Sequence, residues 1–186
     1  MDKKKFAGKV FEAMSMVVWA VSVVAIVFTF MFRITTVNGR SMLPTLSHGD
    51  RLMVSSFTKE YEYKDIVIVV EPNEELYEPL VKRVIATEGQ WVDVNYAEGI
   101  VYVGDSPDSM QPLDEPYINE DTSSRPYDDV NEYPIRVPEG QYFCMGDNRN
   151  HSTDSRSYKV GSVQEGYILG KAVCRLIPFG DFNIYE

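Results

Sequence analysis

Twenty consecutive residues without a charge, Ala13 to Phe32 (AMSMVVWAVSVVAIVFTFMF), limit this chain more than any other feature of its sequence. As a helix rising about 1.5 Å per residue they span about 30 Å, the thickness of a bilayer's hydrocarbon core. A buried helix of a soluble protein is usually shorter and shows polar residues at helical spacing. A cleaved secretory leader has an apolar stretch of about 7–15 residues closed by small side chains. This run ends instead in the bulky sequence Phe28-Thr29-Phe30-Met31-Phe32-Arg33. It reads as a permanent anchor.

The flanks orient it. Residues 1–12 carry a net +2, from Lys3, Lys4, Lys5 and Lys9 against Asp2 and Glu12, and the rest of the chain carries −12, for −10 in all. Basic residues stay on the cytoplasmic side. The expected order is therefore a cytoplasmic leader (1–12), a single-pass anchor in the cell membrane (13–32) and a body on the extracytoplasmic side. Membrane lipid is an expected partner. An acidic body is unsuited to DNA or RNA, whose binding rests on neutralisation of phosphates by Lys and Arg. Cys144 and Cys174 are too few for a dense disulfide framework or a four-thiolate zinc site, and His48 and His151 too few for a histidine metal centre. Each cysteine lies in an apolar run and reads as a small buried hydrophobe, with a disulfide between them left open. The chemistry must come mostly from Ser, Lys, Asp and Arg.

Beyond the anchor the chain reads as mainly β. Apolar and β-branched runs bounded by turn residues predict strands at Arg51–Ser55, Asp65–Val70, Leu80–Ala86, Trp91–Val94, Ile100–Val103, Ile135–Val137, Gln141–Cys144 and Ala172–Ile177. Ala97-Glu98-Gly99 reads as a hairpin turn. Between residues 95 and 139 eleven acidic residues face only Arg125 and Arg136. This stretch reads as an inserted acidic subdomain with a solvated surface, interrupting a core made of residues 33–94 and 140–186. Its acids lack the spacing of a calcium loop.

Three strings carry the chemistry. In Asn38-Gly39-Arg40-Ser41-Met42-Leu43-Pro44-Thr45-Leu46, Gly39 permits a tight backbone and Pro44 fixes the chain after the serine, so that Ser41 can present a hydroxyl and an N–H in a defined geometry. Read alone, this is an ordinary Gly–Pro turn. In Leu80-Val81-Lys82-Arg83-Val84-Ile85, alternation puts Lys82 on one strand face with Leu80 and Val84. Desolvation there lowers an ammonium's pKa from about 10.4 toward the roughly 7–8 that suits a general base. The bland alternative is a lysine snorkelling from a strand edge. Arg83, on the opposite face, reads as structural. The third string, Gly146-Asp147-Asn148-Arg149-Asn150-His151-Ser152-Thr153-Asp154-Ser155-Arg156, predicts a loop knitted by charge-assisted hydrogen bonds.

In this order behind an anchor, NGRSMLPTL, GDRLMV, KDIVIVV, VKRVI and GDNRNHSTDSR, with EPYI at Glu115–Ile118 inside the insert, resemble the bacterial type I signal peptidases of the Ser–Lys branch. The resemblance implies an antiparallel β-sheet catalytic domain with an inserted β-hairpin and loop subdomain. It implies that Ser41 is the nucleophile and Lys82 the general base, that Ser152 supplies a hydroxyl orienting the amine, and that Asp154 and Arg156 form a supporting charged pair. Gly146, Asp147 and Arg149 are then the structural part of that loop, and the Ser41 N–H an oxyanion donor. Gly39 stands where some members place a serine as a second donor, and Ala86-Thr87-Glu88-Gly89-Gln90 where the family commonly has a Gly-Leu-Pro-Gly-Asp turn. The implied substrates are exported preproteins, bound as an extended strand and cut after small residues (Ala-x-Ala) beside the membrane. The implied enzyme is a monomer needing no metal or organic cofactor. One alternative is a catalytically inactive relative serving as an assembly or chaperone factor for surface structures, but such a protein is expected to lack the serine or the lysine. The self-cleaving repressors that share Ser–Lys chemistry are soluble DNA binders, which the anchor and the acidic body disfavour.

Overall fold

The computed structural model describes residues 3–57, 59–70, 78–129 and 131–178, and the chain divides into two units, residues 1–33 and 34–186. The first is built on a single helix, α1 (Lys3–Met31). It starts inside the basic leader, where Lys and Ala are good helix formers. Over its apolar part, Phe11–Met31, the side chains are exposed all round, the surface a lipid-facing helix presents. Its three hydroxyls do not break that character. Ser15, Ser22 and Thr29 donate to the carbonyls of Phe11, Val18 and Ala25 at 2.9, 2.8 and 2.7 Å, so each polar group is satisfied within the helix.

The second unit holds two sheets. The larger contains β1 (Phe32–Thr36), β2 (Arg51–Ser55), β3 (Ile66–Val69), β4 (Leu80–Ala86), β9 (Gln141–Met145), β10 (Val163–Gln164) and β11 (Ile168–Ile177), in the order β1-β2-β11-β3-β4-β9-β10. The smaller contains β5 (Trp91–Asn95), β6 (Ile100–Gly104), β7 (Gln111–Pro112) and β8 (Ile135–Arg136), in the order β7-β6-β5-β8. Pairing between β2 and β11, β11 and β3, β3 and β4, β4 and β9, and β5 and β6 is antiparallel. An apolar helix followed by antiparallel β-structure is thus the fold, as the patterning predicts. At the β5–β6 hairpin the Asn95 side chain accepts from the amides of Ala97 and Glu98, and Gly99 takes a φ of +75°.

Four strand segments escape the sequence pattern. β1 follows directly on the apolar run, and its first residue, Phe32, is expected in the anchor. β7 and β10 are two residues each, too short for alternation to register. β11 begins at Ile168, four residues before the expected Ala172, and bridges two neighbours: its first part pairs with β3 and the rest with β2. Gly170 makes that possible, since a Cβ there would lie 2.2 Å from the Ser55 carbonyl oxygen.

β4 is the hub of the packing. Val81 belongs to one core cluster with Met42, Leu46, Leu52 and Ile68, and Val84 to a second with Val67, Val69 and Cys144. Ile85 and Ala86 join Val92, Val101 and Phe143 in a third, which ties the two sheets together. Neither Cys144, in β9, nor Cys174, in β11, is in a disulfide; the two strands are separated in the sheet by β3 and β4.

Candidate active site

Met42 and Leu46 seat the serine string: both are fully buried, and the amides of Leu43 and Leu46 bond back to the carbonyls of Arg40 and Met42. Gly39 supplies a φ of +90° with open space where a Cβ would be, so it is the backbone conformation that calls for glycine. Its N–H donates to His48 Nδ1 at 3.2 Å.

Lys82 comes from the middle of β4, paired with Val67 of β3, and is 2% exposed. Its Nζ lies 2.8 Å from Ser41 Oγ and donates to the Val81 carbonyl at 3.2 Å. Burial is the largest influence on this amine and pulls its pKa from 10.5 down to about 8; the charge of Asp154 works the other way. Two residues that the sequence separates by 41 positions meet in a geometry fit for proton transfer.

The loop after β9 holds the serine string in place. The Asn148 amide donates to the Ser41 carbonyl at 3.0 Å, and the Asn148 side chain to the Arg40 carbonyl at 3.1 Å. Arg83 Nε and Nη2 form a fork on Asp147 at 2.8 and 2.6 Å, and the hydroxyl of Thr45 donates to the same carboxylate at 2.5 Å. Strand, serine string and loop therefore share one buried ion pair. A second one lies deeper: Arg156 grips Asp154 through Nε and Nη2 at 2.8 and 2.9 Å, with neither side chain exposed. Burial alone would push the Asp154 carboxyl up; the Arg156 guanidinium and the Gly146 amide, which donates to Asp154 at 3.0 Å, outweigh it and hold the group below the usual carboxylate range.

Ser152 is placed differently from the other residues. Its Oγ is buried without a hydrogen-bond partner among the described residues. It abuts Gly146, where a Cβ would come within 2.3 Å of it; no hydrogen bond joins it to Lys82. Sequence reasoning missed three partners. Thr45 is one, and its position straight after Pro44 was the only signal. Glu115 and Tyr117 are the others. Glu115 forms a bidentate pair with Arg149, and the Tyr117 ring covers Arg83, with Cζ 3.9 Å from the ring centroid. The insert's acids are thus not all solvated: beside Glu115, Asp128 accepts from Ser157 and Asp129 from Tyr96.

Comparison with known proteins identifies the family. The family described as signal peptidase, peptidase S26 matches residues 10–177. A probable signal peptidase I-1 of Synechocystis is 38% identical over 169 residues, covering 83% of this chain and 79% of that protein. Signal peptidase I of Bacillus licheniformis is 30% identical over 193 residues and covers 98% of each. A solved signal peptidase I from Enterococcus faecalis, 26% identical, aligns with a TM-score of 0.46 over 60% of this chain and 96% of that one. On the family match and the sequence relatives, the chain belongs to the peptidase S26 family of signal peptidases, serine hydrolases, and its apolar helix makes it a membrane-anchored member.

Proposed function

We propose that the protein removes signal peptides from exported preproteins with Ser41 as nucleophile and Lys82 as general base. The observation that carries this reading is a buried amine, its pKa lowered to about 8, standing 2.8 Å from a hydroxyl. Neutral Lys82 takes the Ser41 proton as Oγ attacks the scissile carbonyl, and the Ser41 N–H donates to the oxyanion that forms. The resulting ammonium returns the proton to the leaving amine. Lys82, neutral again, then removes a proton from the water that attacks the acyl-enzyme, and Ser41 is released. Asp154 and Arg156 keep the loop rigid, and Ser152 lends an uncommitted hydroxyl at the edge of the site. Ser41 follows the last residue of the first unit by only eight positions, so the nucleophile stays tethered near the membrane surface. There a signal peptide's apolar stretch ends in small residues. Cleavage after Ala-x-Ala on the extracytoplasmic side, with the substrate extended as a strand and the enzyme a monomer, completes the reading.

The test is incubation of the full chain, in detergent micelles, with a preprotein carrying Ala-x-Ala, and mass determination of the new N-terminus. Wild type should cut after the second alanine, while Ser41→Ala and Lys82→Ala should not cut at all. Binding without cleavage by the wild type would instead favour the inactive assembly-factor alternative.

A further inference from the structure

The inserted subdomain meets the catalytic region through its EPYI segment, Glu115–Ile118. Tyr117 lies with its ring on the Arg83 guanidinium, Cζ 3.9 Å from the centroid, and 5.9 Å from Arg149 Cζ. Its hydroxyl donates to Glu115 Oε1 at 2.8 Å. Glu115 in turn accepts from both terminal nitrogens of Arg149, with only 7% of its side chain exposed. The two guanidiniums so clamped are those that hold the dyad's surroundings. Arg83 follows Lys82 in β4 and, through Asp147, reaches Thr45 of the serine string. Arg149 donates from Nε to the Gly146 carbonyl at 3.1 Å, and Gly146 packs against both the Ser41 carbonyl and Ser152.

We propose that Glu115 and Tyr117 are positioning residues: the insert clamps Arg83 and Arg149 and thereby fixes Ser41 against Lys82. Bidentate pairing holds a guanidinium in one orientation, and a tyrosine ring stacked on its face adds a further constraint. Without the clamp each arginine keeps a partner on one side and gains rotation on the other. Gly146 and the Ser41 carbonyl then lose their fixed spacing, and the enclosure of Lys82 loosens with them. Misplacement of reacting groups by about 1 Å lowers a rate by up to roughly 100-fold. The inference rests on the Ser41–Lys82 reading.

The test measures kcat, KM and the pH profile of kcat for the full chain on a preprotein, with melting temperature recorded in parallel. Tyr117→Leu and the nearly isosteric Glu115→Gln should lower kcat about tenfold with KM within about twofold, a pattern that marks loss of transition-state geometry and not of substrate binding. The acid limb should move to higher pH, toward an ordinary lysine. Tyr117→Phe, which keeps the ring over Arg83, should restore kcat to within about threefold of wild type. Should Tyr117→Leu fail to fold, Glu115→Gln carries the same expectation. A loss that merely tracks the folded fraction, with the limb unmoved, would overturn the clamp. So would a Tyr117→Phe enzyme as slow as Tyr117→Leu. Ser41→Ala separates the two ideas. If it still cleaves, the dyad reading has failed; if it is inert while both clamp variants match wild type, only the clamp has.

Discussion

The Ser41 carbonyl lies over the α-carbon of Gly146, so close that a Cβ there would stand 2.4 Å from its oxygen and 2.3 Å from Ser152 Oγ. The carbonyl cannot give way cheaply, because it is backbone and is bonded to the Asn148 amide. Gly146→Ala should therefore push the serine string off the loop and lower kcat at least about tenfold, with a smaller effect on KM. Steady-state kinetics beside a thermal melt would check this; an alanine enzyme with wild-type kcat would show that the contact is not needed.

Activity should require the unprotonated amine. With Lys82 at about 8, kcat/KM should climb through the mildly alkaline range and level off above it, since that ratio reports the free enzyme's base. A lysine at its ordinary value of 10.5 would keep the rate climbing well past pH 9. A pH series on one preprotein distinguishes the two.

Stability should move the opposite way when the lysine is removed. Lys82 binds its proton less tightly folded than unfolded, so its burial is fully unfavourable below about pH 8 and the penalty fades as pH rises toward 10.5. Lys82→Met should be inactive yet more stable at pH 7, by roughly 2–3 kcal/mol. The gap between variant and wild type should narrow by pH 10. Urea unfolding at the two pH values measures it.

Asp154 and Arg156 neutralise each other entirely out of water. Asp154→Ala leaves the guanidinium buried without its carboxylate, and should destabilise the protein by about 3–5 kcal/mol. Adding Arg156→Met should recover part of that loss, because the charge goes with its partner. Melting temperatures of the single and double variants suffice.

Ser152 should separate the two properties. Its buried hydroxyl makes no hydrogen bond among the described residues, so Ser152→Ala gives up none of these and should leave the melting temperature unchanged or slightly raised. If that hydroxyl helps to orient the amine during turnover, kcat should still fall. An alanine variant as active as wild type would remove Ser152 from the supporting set.

How much of this was legible in the chain depended on whether the signal was local. β3 declared itself through an unbroken β-branched run, β4 through the apolar residues around its two cations, and α1 through the missing charges of its apolar part, because an apolar environment on all sides writes itself into consecutive residues. Lys82 stood out as a cation on the strand face it shares with Leu80 and Val84. β1, β7, β10 and the start of β11 were hidden because pairing across the sheet, not side-chain alternation, defines them. The site's distant partners were hidden too. Glu115 looked like one more acid in a solvated insert until Arg149 appeared beside it, and nothing in Thr45 announces Asp147, more than a hundred positions away. The resemblance quoted EPYI, but its strings carry no distances.

The enclosure of β4 has one more consequence. Dryness is what lowers the pKa of Lys82 and makes its neutral amine available in the mildly alkaline range, and only the completed sheet provides it. A polypeptide still emerging, or one whose strands have begun to part, offers an ordinary ammonium beside an ordinary alcohol, and neither attacks a peptide bond. Proteolytic capacity thus depends on the sheet staying closed around β4, and opening it to solvent disarms the enzyme.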